Sequence, residues 1–156
     1  MRAQILGMLG ELSAEQIERV LHGQVLGRIG CHAAGRTYVV PVTYAYDGQA
    51  VYAHSGEGLK LQMMRASPEV CFEVEEVDDL ARWRSVIAWG RFEELHGEAA
   101  AAGMRVLLGR LMPLMTSETA QPSHGLSTAH RTDTSGKSAL LYRIVLGEKT
   151  GRFEKR

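Results

Sequence analysis

Pro41-Val42-Thr43-Tyr44-Ala45-Tyr46-Asp47-Gly48-Gln49-Ala50-Val51-Tyr52-Ala53-His54-Ser55-Gly56-Glu57-Gly58-Leu59-Lys60 is the stretch on which the reading of this chain turns. From Thr37 to Tyr46 the period is two, with Tyr38, Val40, Val42, Tyr44 and Tyr46 on one face, which predicts a strand. Asp47-Gly48 is a hairpin-turn pair, so Gln49 to Ser55 returns as the next strand. Pro41 has no N–H to give a ladder. It therefore marks an edge, a bulge or a place where the sheet opens. Beyond Ser55 the pattern becomes helical, roughly from Glu57 to Ala66, and Ser67-Pro68 closes it.

The junction between that strand and that helix has the composition of an anion site. Ser55 is placed to cap the helix, and Gly56 and Gly58 leave backbone N–H groups open to approach. Lys60 adds a positive charge to a helix start that is already partly positive, an arrangement a phosphate would satisfy. Two readings of these residues stand side by side: a phosphate cradle, or a capped surface helix with a solvated lysine. Glu57 is expected to face solvent, since it would repel a close phosphate.

Working outward, Ser13 with Gln16 three residues on reads as a capping box, with Leu12 and Ile17 at staple positions. Ile17, Val20 and Leu21 form the buried stripe of this first helix, and Gly23 ends it. Gly27 to His32 reads as a strand and Ala34-Gly35 as a turn. Val70 to Val77 and Trp83 to His96 read as two further strands, with Gly90 marking a bulge in the second. Gly97 to Met115 is a long helix with Met104, Leu107, Leu108, Leu111, Met112 and Met115 on one face, packed on the barrel or on a second subunit. The polar segment from Thr116 to Lys137 is long for a connection and reads as a mobile loop or a lid. Ser138 to Leu146 is a last strand, and Gly147 to Arg156 a charged tail. About six antiparallel strands with three peripheral helices predict a mainly-β, closed or split barrel in one domain over residues 1–156.

Composition removes several function classes. The chain has 156 residues and a formal net charge of zero, so no bulk charge attracts nucleic acid or an anionic membrane. No apolar run is long enough to span a bilayer, and the N-terminal residues do not read as a secretory signal, so a cytoplasmic location is expected. Cys31 and Cys71 lie in apolar strand-like segments and are expected as buried thiols. The six histidines are scattered, without zinc-ligand spacing, so no metal site is expected.

The order of these motifs resembles the FMN-binding split β-barrels of the pyridoxamine-phosphate-oxidase-like family, most closely their nitroimidazole-resistance branch. The residues that carry the resemblance are Gly27-Arg28-Ile29-Gly30, Pro41 to Gly48, Val51 to Ser55 with Gly58-Leu59-Lys60, Trp83 to Glu93, and Tyr142 to Leu146 followed by Lys149 to Arg152. It spans Leu12 to about Phe153. The resemblance implies a homodimer with FMN in a groove between subunits, acting on a small-molecule electron acceptor. It implies that Pro41, Val42, Thr43 and Tyr44 run along the flavin ring, and that Ser55, Leu59 and Lys60 hold the phosphate. Arg84, Ser85, Val86 and Trp89 would add contacts from the long strand. His54, beside the flavin, would either donate a proton during turnover or only bind cofactor. The C-terminal substrate segment of true pyridoxamine-phosphate oxidases is not recognised among these residues, so vitamin B6 oxidation is not the expected activity. Relatives that use a deazaflavin coenzyme or haem share the barrel, and for haem His124 and His130 are the candidate ligands.

Overall fold

The alternation read from Thr37 onward is realised in two strands that lie at opposite ends of one sheet. The computed structural model describes residues 8–115 and 139–156. In chain order the elements are β1 (Met8–Glu11), α1 (Ala14–Gly23), β2 (Leu26–Ala33), β3 (Arg36–Thr43), β4 (Ala45–Tyr46) and β5 (Ala50–Ser55). They continue as α2 (Leu59–Ala66), β6 (Glu69–Asp79), β7 (Arg82–Glu94), α3 (Gly97–Leu111), a 3-10 turn (Met112–Leu114) and β8 (Leu140–Lys155). The segment read as a lid, with His124 and His130, lies outside the described residues.

All strand pairs are antiparallel, and the strands run β3-β2-β6-β7-β8-β5-β4, with β1 added beside β8. Only Tyr44 separates β3 from β4 in sequence, yet they end the sheet on opposite sides. The sheet must therefore curl until its two ends approach, without pairing. This is a split β-barrel, mainly β with peripheral helices. The position of Pro41 follows: it lies in β3, the terminal strand, exposed and opposite Arg28.

Helix α1 closes the opening. Its capping box is formed: Gln16 N–H donates to Ser13 Oγ at 3.2 Å, and Ser13 N–H donates to Gln16 Oε1 at 2.8 Å. Ile17, Val20 and Leu21 are buried in the barrel core with Ile29, Phe72, Val86 and Ile144. Tyr44 OH donates to Leu21 O at 2.8 Å, and Lys149 Nζ donates to Glu18 Oε1 at 2.6 Å and Tyr46 OH at 2.8 Å. Tyr44, which joins β3 to β4, and Tyr46 of β4, through Lys149, are thus both tied to this helix. A second core lies outside the barrel, where Leu107 and Leu111 of α3 pack on Ala45, Ala50, Tyr52 and Leu141. The apolar stripe of α3 therefore packs on its own barrel, although Met112 is exposed. Pro113, which cannot continue a helix, accounts for the stop at Leu111.

Several features differ from expectation. Eight strands are present among the described residues, where about six were expected. The charged tail is not a tail: β8 runs on to Lys155, pairing with β7 throughout and with β1 at its end. Its glycines and charges read as a loop, but Lys149 is neutralised by Glu18, and Gly151 lies where Leu12 and Ile17 leave no room for a side chain. Helix α2 begins at Leu59, two residues after its expected start. The bulge expected at Gly90 is present, as a register shift between β7 and β8 at Ala88/Gly90.

Candidate functional site

At the end of β5 the chain makes a short turn over residues 56–58 into α2. Ser55 is half-buried, and its Oγ donates to Gly56 O at 2.7 Å. It is not the helix cap. That position belongs to Gly58, in extended backbone, which offers no side chain to the first-turn N–H groups. Leu59 is exposed, while Lys60 is half-buried. Burial lowers the Lys60 ammonium from its ordinary range, and among the described residues no carboxylate lies within ion-pair distance of it. Glu57 is exposed, as expected, but held: Arg65 Nη1 and Nη2 donate to its two oxygens at 3.0 and 2.9 Å.

The strand register brings the other expected residues onto two opposite faces. Three transverse rows cross the outer face of β3, β2, β6 and β7. One reads Val39–Gly30–Cys71–Trp89, and the next Pro41–Arg28–Glu73–Ile87. The third carries Thr43 beside Leu26 at one end and Ser85 beside Glu75 at the other. Three strand spacings separate Thr43 from Ser85, about 14 Å. Pro41, Thr43, Ser85 and Trp89 thus share one face, and a shallow hollow of about 340 Å³ lies among Gly30, Cys71 and Trp89.

Val42, Tyr44 and Val86 point inward instead and are buried in the core. A ligand on the outer face can meet only their backbone. For Tyr44 even the N–H is engaged, donating to Val25 O at 2.9 Å, and the ring packs edge-on against Phe72. Arg84 also points elsewhere. It is paired with Glu76 at 3.2 Å and lines a separate hollow of about 390 Å³ with Arg82, Trp83 and Phe153. Arg143 is likewise paired, with Glu93 at 2.7 Å. The tyrosines serve packing: Tyr52 OH donates to Asp47 Oδ2 at 3.1 Å, as Tyr44 and Tyr46 do to or with their own partners.

His54 is half-buried and opposite Leu141 in β5, with Nε2 shielded from solvent. Strand alternation puts it on the side of Tyr52, where α3 packs. No group of His, Cys, Asp or Glu among the described residues is arranged to hold a metal. No described helix is long and apolar enough to cross a membrane. Cys31 and Cys71 are free thiols, Cys31 buried and Cys71 half-buried.

Sequence reasoning missed a charged cluster in the middle of the outer face. Arg28 Nη1 lies 2.9 Å from Glu75 and 3.5 Å from Glu73. The signal was available, because Glu73-Val74-Glu75 alternates and must put both acids on one side. Burial and then the adjacent Glu75 push the Glu73 carboxyl up to about 7, against the pull of Arg28. The folded chain therefore holds this proton more tightly than the unfolded one. The resulting stabilisation is complete below the ordinary value of 4.5 and is lost as pH rises through about 7. We expect Glu73→Gln to match the wild type in Tm at about pH 4 and to exceed it at about pH 8. A Tm difference that does not change with pH would contradict the assignment.

Comparison with known proteins places this geometry among relatives. The family model described as pyridoxamine 5'-phosphate oxidase matches residues 13–153. An uncharacterised protein of Rhizobium meliloti is 27% identical over 141 residues, covering 90% of this chain and 92% of its own. The crystal structure of an FAD-binding protein from Mesorhizobium loti superimposes with a TM-score of 0.76 at 28% identity, covering 96% of this chain and 99% of that one. A protein of Bacteroides thetaiotaomicron with a suspected role in 5-nitroimidazole antibiotic resistance shares the fold, with a TM-score of 0.67 and 20% identity over 96% of this chain and 90% of that one.

Proposed function

The chain belongs to the pyridoxamine 5'-phosphate oxidase family, and from that premise we propose that it is an FMN-binding oxidoreductase that reduces nitroaromatic or similar small acceptors. The observation that carries the reading is Lys60. A half-buried ammonium with no carboxylate partner among the described residues, beside a helix start without a side-chain cap, is a cost that a bound phosphate would offset. Ser55 Oγ, now spent on Gly56 O, is close enough in sequence to turn toward the same anion.

The ring would lie on the outer face, against Pro41 and Thr43 of the terminal strand, whose free edge can offer backbone groups to a polar ring edge. A second copy of the chain would cover this face. Exposed Leu26, Val39, Ile87 and Trp89 supply the apolar surface for that contact, in place of the α3 stripe. Ser85 and Trp89 would then border the groove. The FAD-binding Mesorhizobium relative supports a flavin ligand and makes FAD an alternative to FMN, since both carry a phosphate on the 5' position of the ribityl chain.

Bound flavin supplies hydride transfer; the chain orients it, excludes water and manages protons. His54 is our candidate for the proton donor, by its place at the end of β5 next to the phosphate turn. The test is His54→Ala. FMN affinity should stay within about twofold, while turnover of a nitroaromatic acceptor should fall by about 100-fold. Unchanged turnover would assign His54 to structure. Wild-type protein that binds FMN but reduces no acceptor would favour flavin storage or sensing over catalysis.

A further inference from the structure

A single guanidinium ties down the turn that carries the proposed phosphate site. Arg65 lies in the last turn of α2, and Lys60 in the first. Arg65 Nε and Nη2 donate to the two oxygens of Glu94 at 2.9 and 2.7 Å. On its other side Nη1 and Nη2 donate to Glu57 at 3.0 and 2.9 Å. Both pairs are two-pronged, a geometry lysine cannot reproduce. Glu94 ends β7, the long strand in the middle of the sheet, where it pairs with Tyr142. The anchor is therefore rigid, and the tethered residue sits in the middle of the turn over residues 56–58.

Two consequences follow for an anion at Lys60. Gly56 and Gly58 flank Glu57, so the turn has a permissive backbone, and the helix start has no side-chain cap. The Arg65–Glu57 contact supplies the restraint that neither provides. The second consequence is electrostatic. A loose Glu57 carboxylate, three residues from Lys60, could pair with the ammonium and would repel a phosphate. Arg65 withdraws it and leaves Lys60 with no carboxylate partner among the described residues.

We propose that Arg65, anchored by Glu94, is a positioning residue that makes this site selective for a phosphate-bearing ligand by holding Glu57 away from Lys60. The proposal rests on the phosphate reading above. Exposed ion pairs add little to global stability, so the effect belongs to ligand preference and not to the fold.

The experiment compares dissociation constants for FMN and for riboflavin, which has the same ring and no phosphate. The variants are Arg65→Met and the double variant Arg65→Met/Glu57→Gln, each with its Tm. Wild type should prefer FMN. Arg65→Met should reduce that preference by about tenfold, with riboflavin affinity and Tm unchanged, and Glu57→Gln should restore part of it. An Arg65→Met variant with undiminished preference would overturn the proposal while leaving the phosphate site standing. Equal loss for both ligands with a lowered Tm would reduce Arg65 to a structural role and overturn it too. A wild type without any preference would remove the phosphate site itself, and this proposal with it.

Discussion

Lys60→Ala should weaken FMN binding by about 10- to 100-fold, the range expected for one charge-assisted contact to phosphate. The stability of the ligand-free protein should not fall, and this separates the prediction from a general lesion. Burial disfavours the Lys60 ammonium in the folded chain, and no carboxylate among the described residues repays it. Removing the amine therefore removes a cost from the free protein and a contact from the bound one. Titration calorimetry with FMN and thermal melts without it measure the two effects separately. Unchanged FMN affinity would sink the phosphate assignment.

Gly90→Ala should be among the most damaging single methyl additions in the barrel. A Cβ there would lie 2.5 Å from Val145 O and 2.8 Å from Ile144 Cγ2. The first of these is backbone, in the neighbouring strand, at the point where the β7–β8 register shifts. Relief requires the two longest strands to part, at about 2–4 kcal/mol. For a chain of this size that corresponds to a Tm lower by roughly 5–15 °C. Gly30→Ala is the matched control. Its Cβ would meet only Cys71 Cβ at 3.7 Å, an ordinary contact, so it should melt within about 1–2 °C of wild type. Equal losses at the two positions would show that the register shift does not depend on a glycine.

Much of this architecture was legible because local chemistry and tertiary context agree. The capping box at Ser13 and Gln16, the Asp47-Gly48 turn and the Gly90 bulge are each specified within a few residues. Pro41 left an edge, a bulge or an opening in the sheet as alternatives, and the edge is where it lies. The alternation that put Tyr38, Val40, Val42, Tyr44 and Tyr46 on one face also contained the orientation of the site, because that face is the core. Thr43 and Pro41 had to point out, and Val42 and Tyr44 in. A family resemblance that lists contiguous residues hides this division.

What was not legible depends on contacts distant in sequence. The second half of β8 has a loop-like composition, and only α1, more than a hundred residues earlier, supplies Glu18 to Lys149 and fills the space beside Gly151. Strand β1 exists only because that half is there to pair with it. Arg65, Arg84 and Arg143 are all cations that a phosphate could recruit, with Arg84 in the segment that best matches the family. Each proves to be committed to glutamate, Arg65 to Glu94 29 residues away and Arg143 to Glu93 50 residues away. Pairing over such distances leaves no periodic trace. It also explains why Lys60, placed by its own turn, is the cation that stays available.

The proposed flavin, held through its phosphate on a face shared by two copies of the chain, has a direct test. Gel filtration of the purified protein after addition of FMN, followed by visible absorption, tests it most directly. Flavin bands should travel with the protein at the elution volume of a dimer. Colourless protein, with all the FMN eluting among the small molecules, would contradict it.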